Sequence, residues 1–320
     1  MFRYRGIEKQ ELQSPMKKII FSLFVLFLTC STGCTSLFFY PQKELLDNPA
    51  AQKFSPQDIW FKAEDGVKLH GWFFSGGRNA KGTVLVLHGN AENLSTHVNS
   101  VLWLIDEGFN LFIFDYRGYG RSQGSSDIKG VHLDAEAALK TLLSLPRVAN
   151  GKVIVLGQSI GGAIAVYTVA NTPYKDKIAA LVIDSAFSSY RLIAREKLSK
   201  FKITWLFQYP LSFLVSDSYS PIRWIKKVSP MPLLIIHGER DPVVPIHHGQ
   251  RLYDEALQPK EFWVSPEPGH ISSFADEGVR EELVRYLQNR LAETRKEQGS
   301  SARPFTPREE HSALAVYPAA

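Results

Sequence analysis

The chain has 320 residues, of which 44% are hydrophobic and 22% charged, so it can bury a large core and has ordinary globular composition. Its net charge of +5 is mild and partly local, because residues 1–33 hold five Lys and Arg against two Asp and Glu. This balance gives no electrostatic reason to expect nucleic-acid binding.

The N-terminal stretch has the organisation of a secretory signal. Met16 and two lysines precede an apolar run at residues 19–28, and small residues follow. We predict a signal peptide over residues 1–33 with Met16 as the true start, too short to span a membrane. Both cysteines of the chain, Cys30 and Cys34, lie here, which excludes a disulfide framework or a cysteine-based metal site in the folded body.

Residues 31–34 resemble a bacterial lipobox, in which a peptidase cleaves before a Cys that becomes lipid-modified. Ser31 stands where Leu is usual, while Gly33 and Cys34 fit the pattern. Lipidation of Cys34 would anchor the protein to a membrane. We therefore expect an exported protein of the cell envelope, with the periplasmic face of the outer membrane suggested by Thr35. Plain secretory cleavage near Gly33 is the alternative.

After a linker at residues 35–57, the pattern predicts one α/β domain at residues 58–295 and a disordered tail at residues 296–320. The predicted strands are short and apolar, and helices alternate with them. They lie at residues 58–62, 67–74, 83–87, 109–114, 153–156, 179–183, 233–236 and 261–264, and the main helices at 94–106, 128–143, 163–170, 276–295 and after Pro245. This alternation indicates a mostly parallel sheet with helices on both faces.

An aromatic-rich insertion at residues 186–230 interrupts this rhythm between two predicted strands. Its position is where a short helical lid over the carboxyl edge of the sheet would arise. A pair of ordinary core-packing helices would have the same composition, and the sequence leaves both open.

Ser159 lies between a buried strand and a helix, with Gly157 and Gly161 in G-x-S-x-G spacing. A nucleophile elbow requires this order, because bulky residues two before and two after the Ser would collide with the neighbouring strand and helix. An ordinary glycine-rich turn between a strand and a helix can show the same five residues. The remaining chain has to decide between them.

An activated Ser needs a base and an acid that orients the base. His270 and Asp241 both lie in loops after predicted strands, and the order Ser159, Asp241, His270 is the one used by α/β-hydrolases. Asp184 also ends a strand and is the alternative acid. His237, His247 and His248 flank the acid loop and are interpreted as surface or loop-supporting residues.

The oxyanion hole needs two backbone N–H groups. We predict that Ile160, directly after the Ser, and Asn90, after the strand at residues 83–87, supply them. His88 is interpreted as a loop-ordering residue, and so are Asp115 and Arg117 in their turn.

Together these motifs identify the chain as resembling the α/β-hydrolase superfamily from about residue 59 to 291. The resemblance is carried by Leu87-His88-Gly89-Asn90, Asp115-Tyr-Arg-Gly-Tyr-Gly-Arg-Ser122, Gly157-Gln-Ser-Ile-Gly-Gly162, His237-Gly-Glu-Arg-Asp241 and Gly269-His270. Within it, the chain is similar to the short-lid branch of serine-aminopeptidase-like and monoacylglycerol-lipase-like proteins. The resemblance implies acyl hydrolysis through an acyl-enzyme without naming the acyl group.

The sequence therefore predicts a serine hydrolase that cleaves a carboxylic ester or thioester of a small, apolar acyl substrate. We expect no cofactor and no metal site; oligomeric state is left open. Peptide or amide hydrolysis uses the same triad and is the enzymatic alternative. A non-catalytic lipoprotein that binds a ligand on the same fold is the alternative of another class.

Overall fold

The computed structural model describes residues 38–301 except 149–150, 201 and 268, and it leaves the side chains of residues 294–301 undescribed. The predicted signal peptide, the lipobox-like stretch with Cys34, and residues 302–320 of the predicted tail lie outside the described residues. Within the described part of the chain, no helix has the length and apolarity that crossing a bilayer requires.

In the described part of the chain, eight strands form one mostly parallel sheet, as predicted. They are β1 Gln57–Lys62, β2 Lys68–Phe74, β3 Thr83–Leu87, β4 Asn110–Asp115, β5 Val153–Gln158, β6 Ile178–Asp184, β7 Leu233–Gly238 and β8 Lys260–Ser265. Their order across the sheet is β1-β2-β4-β3-β5-β6-β7-β8. β1 pairs antiparallel with β2, and β2 with β4, while β4, β3 and β5 to β8 run parallel.

Helices cover both faces of the sheet. The described α-helices are α1 Pro49–Gln52, α2 Leu94–His97, α3 Trp103–Asp106, α4 Ile128–Ser144, α5 Ile160–Asn171, α6 Tyr190–Ser199, α7 Lys202–Trp205, α8 Gln208–Phe213, α9 Pro221–Trp224, α10 His247–Glu255 and α11 Glu277–Ser301. Alternate residues of a strand point to opposite faces. Leu85 of β3 packs in a core with α4 and α5, whereas Val84 packs in a second core with α11.

The helix predicted at residues 94–106 is divided into α2, a 3₁₀ turn at Val98–Ser100, and α3. Between α2 and α3, two side chains donate hydrogen bonds to backbone carbonyls. The Ser100 hydroxyl donates to the His97 carbonyl at 2.9 Å, and the Trp103 indole donates to the Ser100 carbonyl at 3.0 Å. Such local bonds compete with a continuous helical ladder.

The last helix continues to Ser301, beyond the predicted end at residue 295. Residues 296–298 contain no Gly or Pro, so no helix-breaking residue lies directly after the predicted end.

Residues 186–230, called the cap segment below, contain α6 to α9. Its second half packs on the body of the domain, where the Trp224 ring lies 5.0 Å from that of Tyr167 on α5. Its first half lies beside the carboxyl ends of the parallel strands, where the candidate site is found.

Candidate active site

Ser159 occupies a strained turn between β5 and α5, with φ 55° and ψ −120°. The turn requires glycine two residues before and two residues after Ser159, because neither position has room for a side chain. A Cβ on Gly157 would lie 2.5 Å from the Gly161 carbonyl oxygen, and a Cβ on Gly161 only 2.1 Å from the Leu87 carbonyl oxygen. The structure therefore has the strand, turn and helix of a nucleophile elbow.

The structure brings Ser159, His270 and Asp241 into one chain of hydrogen bonds. The Ser159 hydroxyl donates to His270 Nε2 over 2.8 Å, and His270 Nδ1 donates to Asp241 Oδ2 over 2.7 Å. β5, β7 and β8 are neighbours or near neighbours in the sheet, so the loops after their carboxyl ends meet at one edge.

Asp241 is held by its own loop. Its Oδ1 accepts hydrogen bonds from the Val243 and Val244 amides at 2.8 and 2.9 Å. Burial acts to raise the pKa of Asp241, but the hydrogen bond from His270 and these amides outweigh it, and the pKa lies below its ordinary value. Buried His237 donates to the Val244 carbonyl at 2.8 Å and so supports the same loop, as predicted.

Asp184, the alternative acid, is hydrogen-bonded to side chains other than His270. Its carboxylate accepts hydrogen bonds from Ser273, Ser185 and Gln158 at 2.8, 3.2 and 3.3 Å. Complete burial raises its pKa above the ordinary value. Of the two candidate acids, Asp241 is the one that is hydrogen-bonded to His270.

Asn90 and Ile160 both line the same cavity as Ser159. Ile160 is the first residue of α5, where the backbone N–H has no partner within the helix and the helix dipole favours negative charge. The Asn90 side chain fixes its own loop, because Oδ1 accepts hydrogen bonds from the Ala91 amide, the Tyr119 hydroxyl and the Tyr40 amide at 2.7, 2.8 and 3.0 Å.

Two stacked imidazole rings contact the backbone of the loop that carries Asn90. The rings of His88 and His97 lie 5.0 Å apart, and His88 Nδ1 donates to the Gly89 carbonyl at 2.7 Å. His97 Nε2 lies 3.2 Å from the Ala91 carbonyl. Burial, and then the neighbouring His88, lower the pKa of His97 to about 4, so it is neutral near pH 7. The loop-ordering role predicted for His88 agrees with these contacts.

A cavity of about 690 Å³ opens beside Ser159. Its walls are mainly apolar side chains of the cap segment and of the N-terminal residues: Phe38, Tyr40, Phe187, Ile193, Leu198, Leu211, Leu214 and Val215. Lys197 is its only lining Lys, Arg, Asp or Glu among the described residues, and its Nζ donates to the Val243 carbonyl at 2.7 Å. This space can hold an apolar chain next to the serine.

Residues 38–57, predicted as a linker, pack on the domain. The Asn93 side chain donates to the Gln42 and Glu44 carbonyls at 3.1 and 2.7 Å. Sequence reasoning left Phe38 and Tyr40 without a role, and only an aromatic run before Pro41 marked them.

Glu196, His247 and His248 form the one described group of three or more side chains whose spacing could hold a metal ion. The Ser188 amide donates to His248 Nδ1 at 3.1 Å, so the proton of the neutral ring lies on Nε2, which donates to Glu196 Oε2 at 3.1 Å. A metal at Nε2 would require the other tautomer. We therefore interpret the group as a contact between cap and acid loop; sequence reasoning missed Glu196.

Several known proteins are similar to this chain in sequence or fold. The family model described as serine aminopeptidase S33 matches residues 78–214. The uncharacterized protein YfhR of Escherichia coli K12 is 34% identical over 284 residues, which cover 86% of this chain and 95% of YfhR. The α/β hydrolase domain-containing protein WAV2 of Arabidopsis thaliana is 32% identical, with 65% of this chain and 69% of WAV2 covered.

Among solved structures, the Pyrococcus furiosus esterase Pf2001 aligns with 80% of this chain and 97% of its own, at a TM-score of 0.62 and 25% identity. The sheet order, the serine elbow and these relatives lead to the same conclusion: the chain belongs to the α/β-hydrolase superfamily.

Proposed function

We propose that the protein is a serine esterase that hydrolyses carboxylic esters or thioesters with an apolar acyl group. The observation that carries the proposal is the hydrogen-bonded chain from Ser159 through His270 to Asp241 at the wall of an apolar cavity. The similarity to the Pyrococcus furiosus esterase supports it.

In this mechanism His270 Nε2 takes the Ser159 proton as Oγ attacks the carbonyl carbon. The Ile160 and Asn90 N–H groups stabilise the oxyanion, and Asp241 stabilises the imidazolium. Collapse expels the alcohol or thiol, which receives the proton from His270. Water then attacks the acyl-enzyme with His270 as base, and the acid leaves with Ser159 restored.

The cavity favours an ester over the substrate of an aminopeptidase. A free α-ammonium group needs a carboxylate partner when it is removed from water. The described cavity lining has Lys197 and no Asp or Glu. This charge would repel an ammonium group.

Hydrolysis of p-nitrophenyl esters from acetyl to palmitoyl, beside aminoacyl p-nitroanilides, tests the proposal. We expect ester turnover that Ser159→Ala abolishes. Turnover should be faster for acyl chains longer than acetyl, because they fill more of the apolar cavity. Faster anilide than ester cleavage would make the protein a peptidase. A folded sample that neither turns over esters nor reacts with a fluorophosphonate would instead be a binding protein.

We also propose, from the sequence, that the protein is exported and held at the cell envelope by lipid on Cys34. Intact mass of the protein purified from membranes tests this. A mature chain that begins at Cys34 and is heavier than its amino acids supports lipidation, whereas an unmodified chain from near Gly33 contradicts it.

A further inference from the structure

The first half of the cap segment exposes an unusual apolar surface. Seven of the thirteen exposed large apolar side chains in the described residues fall within an eleven-residue stretch. They are Ile203, Trp205, Leu206, Phe207, Tyr209, Leu211 and Phe213, called the cap face below. Ile203 is 87% exposed and Leu206 69%. Concentrated exposed apolar surface of this kind marks an interaction site.

Cations are close to the cap face in sequence, and two arginines contact its aromatic rings. Residues 190–213 contain Arg191, Arg195, Lys197, Lys200 and Lys202 but only one acidic residue, Glu196. The Arg191 guanidinium lies 5.1 Å from the centre of the Phe213 ring, and that of Arg195 lies 5.3 Å from the Tyr209 ring. Positive charge and exposed aromatic rings therefore share one surface. This combination is typical of segments that lie in the headgroup region of anionic bilayers.

The N-terminal end of the described chain lies at the same place. Phe38 and Tyr40 line the cavity together with Leu211 of the cap face. Cys34 precedes Phe38 by four residues, so it lies at most about 14 Å from Phe38 along an extended chain. Lipid at Cys34, as proposed above, would hold the cap face close to a bilayer.

We propose that the cap face is a membrane-docking surface that inserts into the headgroup region of an anionic bilayer. It would bring the mouth of the acyl cavity against the lipid, so that an apolar ester passes from the bilayer to Ser159. The passage of substrate rests on the proposed esterase function, whereas docking itself does not.

Quenching of tryptophan fluorescence by brominated phosphatidylcholine tests which face meets the lipid. The full chain is mixed with vesicles of brominated phosphatidylcholine and phosphatidylglycerol. Trp205 on the cap face is 58% exposed, and Trp60 on β1, 44% exposed, provides a matched control. We expect strong quenching in the wild type and in Trp60→Phe, and loss of most of it in Trp205→Phe.

Several results would overturn the proposal. They are equal quenching in Trp205→Phe and wild type, quenching that depends on Trp60, and no quenching at all. Quenching by aqueous iodide before lipid is added tests whether the cap face is already covered. If iodide does not reach Trp205, a second copy or the N-terminal segment of the same chain covers the cap face. Light scattering then distinguishes a dimer from a monomer.

A triple variant connects docking with catalysis. Ile203→Ser/Leu206→Ser/Phe207→Ser changes only residues outside the cavity lining. We expect turnover of a long-chain ester embedded in vesicles to fall at least about tenfold, because each removed side chain loses apolar burial. Turnover of a soluble acetyl ester should stay unchanged; equal loss on both substrates contradicts docking.

Fluorophosphonate labelling of Ser159 separates the two proposals. Normal labelling without quenching of Trp205 would contradict docking alone, whereas quenching without labelling would contradict the esterase function alone.

Discussion

Glu196 of the cap accepts a hydrogen bond from His248 at the start of α10, with Oε2 and Nε2 3.1 Å apart. Its other oxygen lies 3.0 Å from His247 Nε2. Nearby, Lys197 and Lys200 donate to the Val243 and Pro242 carbonyls at 2.7 and 3.4 Å. Helix α6 is thereby fixed to the loop that carries Asp241, and the wall of the acyl cavity is connected to the candidate acid.

Replacement of Glu196 by Ala should destabilise the protein. It leaves the buried N–H of His248 without its acceptor, a loss that costs about 1–3 kcal/mol in unfolding free energy. Urea unfolding measures it. The control is Glu255→Ala, because Glu255 forms an exposed ion pair with Lys226, worth less than about 1 kcal/mol. Equal effects of the two substitutions would contradict this role of Glu196.

The two candidate acids can be separated by conservative substitutions. Asp241→Asn removes the acceptor that fixes the His270 tautomer, so we expect kcat on a p-nitrophenyl ester to fall about 10⁴-fold. Asp184→Asn should lower kcat less than about tenfold, because the Asp184 carboxylate is not the hydrogen-bond partner of His270. It accepts hydrogen bonds from Ser273, Ser185 and Gln158 instead. The reverse ranking would make Asp184 the catalytic acid.

The strain at Ser159 predicts a difference in stability between two inactive variants. Glycine adopts a positive φ without the steric cost that other residues have, which is about 1–3 kcal/mol. Ser159→Gly should therefore unfold at higher urea than Ser159→Ala, while both lack turnover. If the glycine variant is the less stable one, relief of strain at the elbow does not outweigh the extra freedom of its unfolded chain.

Stability should fall in mild acid, partly through His132. This ring is buried between Tyr167 and Tyr219, with ring centres 4.7 and 4.5 Å away, and burial lowers its pKa to about 4. The unfolded chain takes up a proton near pH 6.5, whereas the folded protein does so only near pH 4. Unfolding free energy therefore falls as the pH is lowered between these values, by up to about 3 kcal/mol for this group.

His132→Phe removes this contribution. Its unfolding free energy, measured in urea from pH 7 to pH 4, should depend less steeply on pH than that of the wild type. The remaining slope comes in part from His97 and His248, whose pKa values burial also lowers to about 4. Parallel pH curves for variant and wild type would show that His132 is protonated alike in both states.

The sequence by itself determined the elements that depend on neighbouring residues. β5, the turn at Ser159 and α5 follow from an apolar run, a Gly-bracketed serine and a second apolar run within nineteen residues, Val153 to Asn171. Short apolar strands alternating with helices were enough for the α/β class, because each strand buried on both faces has to be apolar along its whole length.

Only the tertiary structure decided which distant groups meet. Ser159 and His270 are 111 residues apart in the chain, and their hydrogen bond depends on the order in which the strands join the sheet. The choice between Asp241 and Asp184, the contact of Tyr40 with the Asn90 side chain, and the exposure of Trp205 are of the same kind. Local composition fixes backbone preferences over a few residues, whereas these contacts arise from the packing of whole elements, whose geometry no single segment encodes.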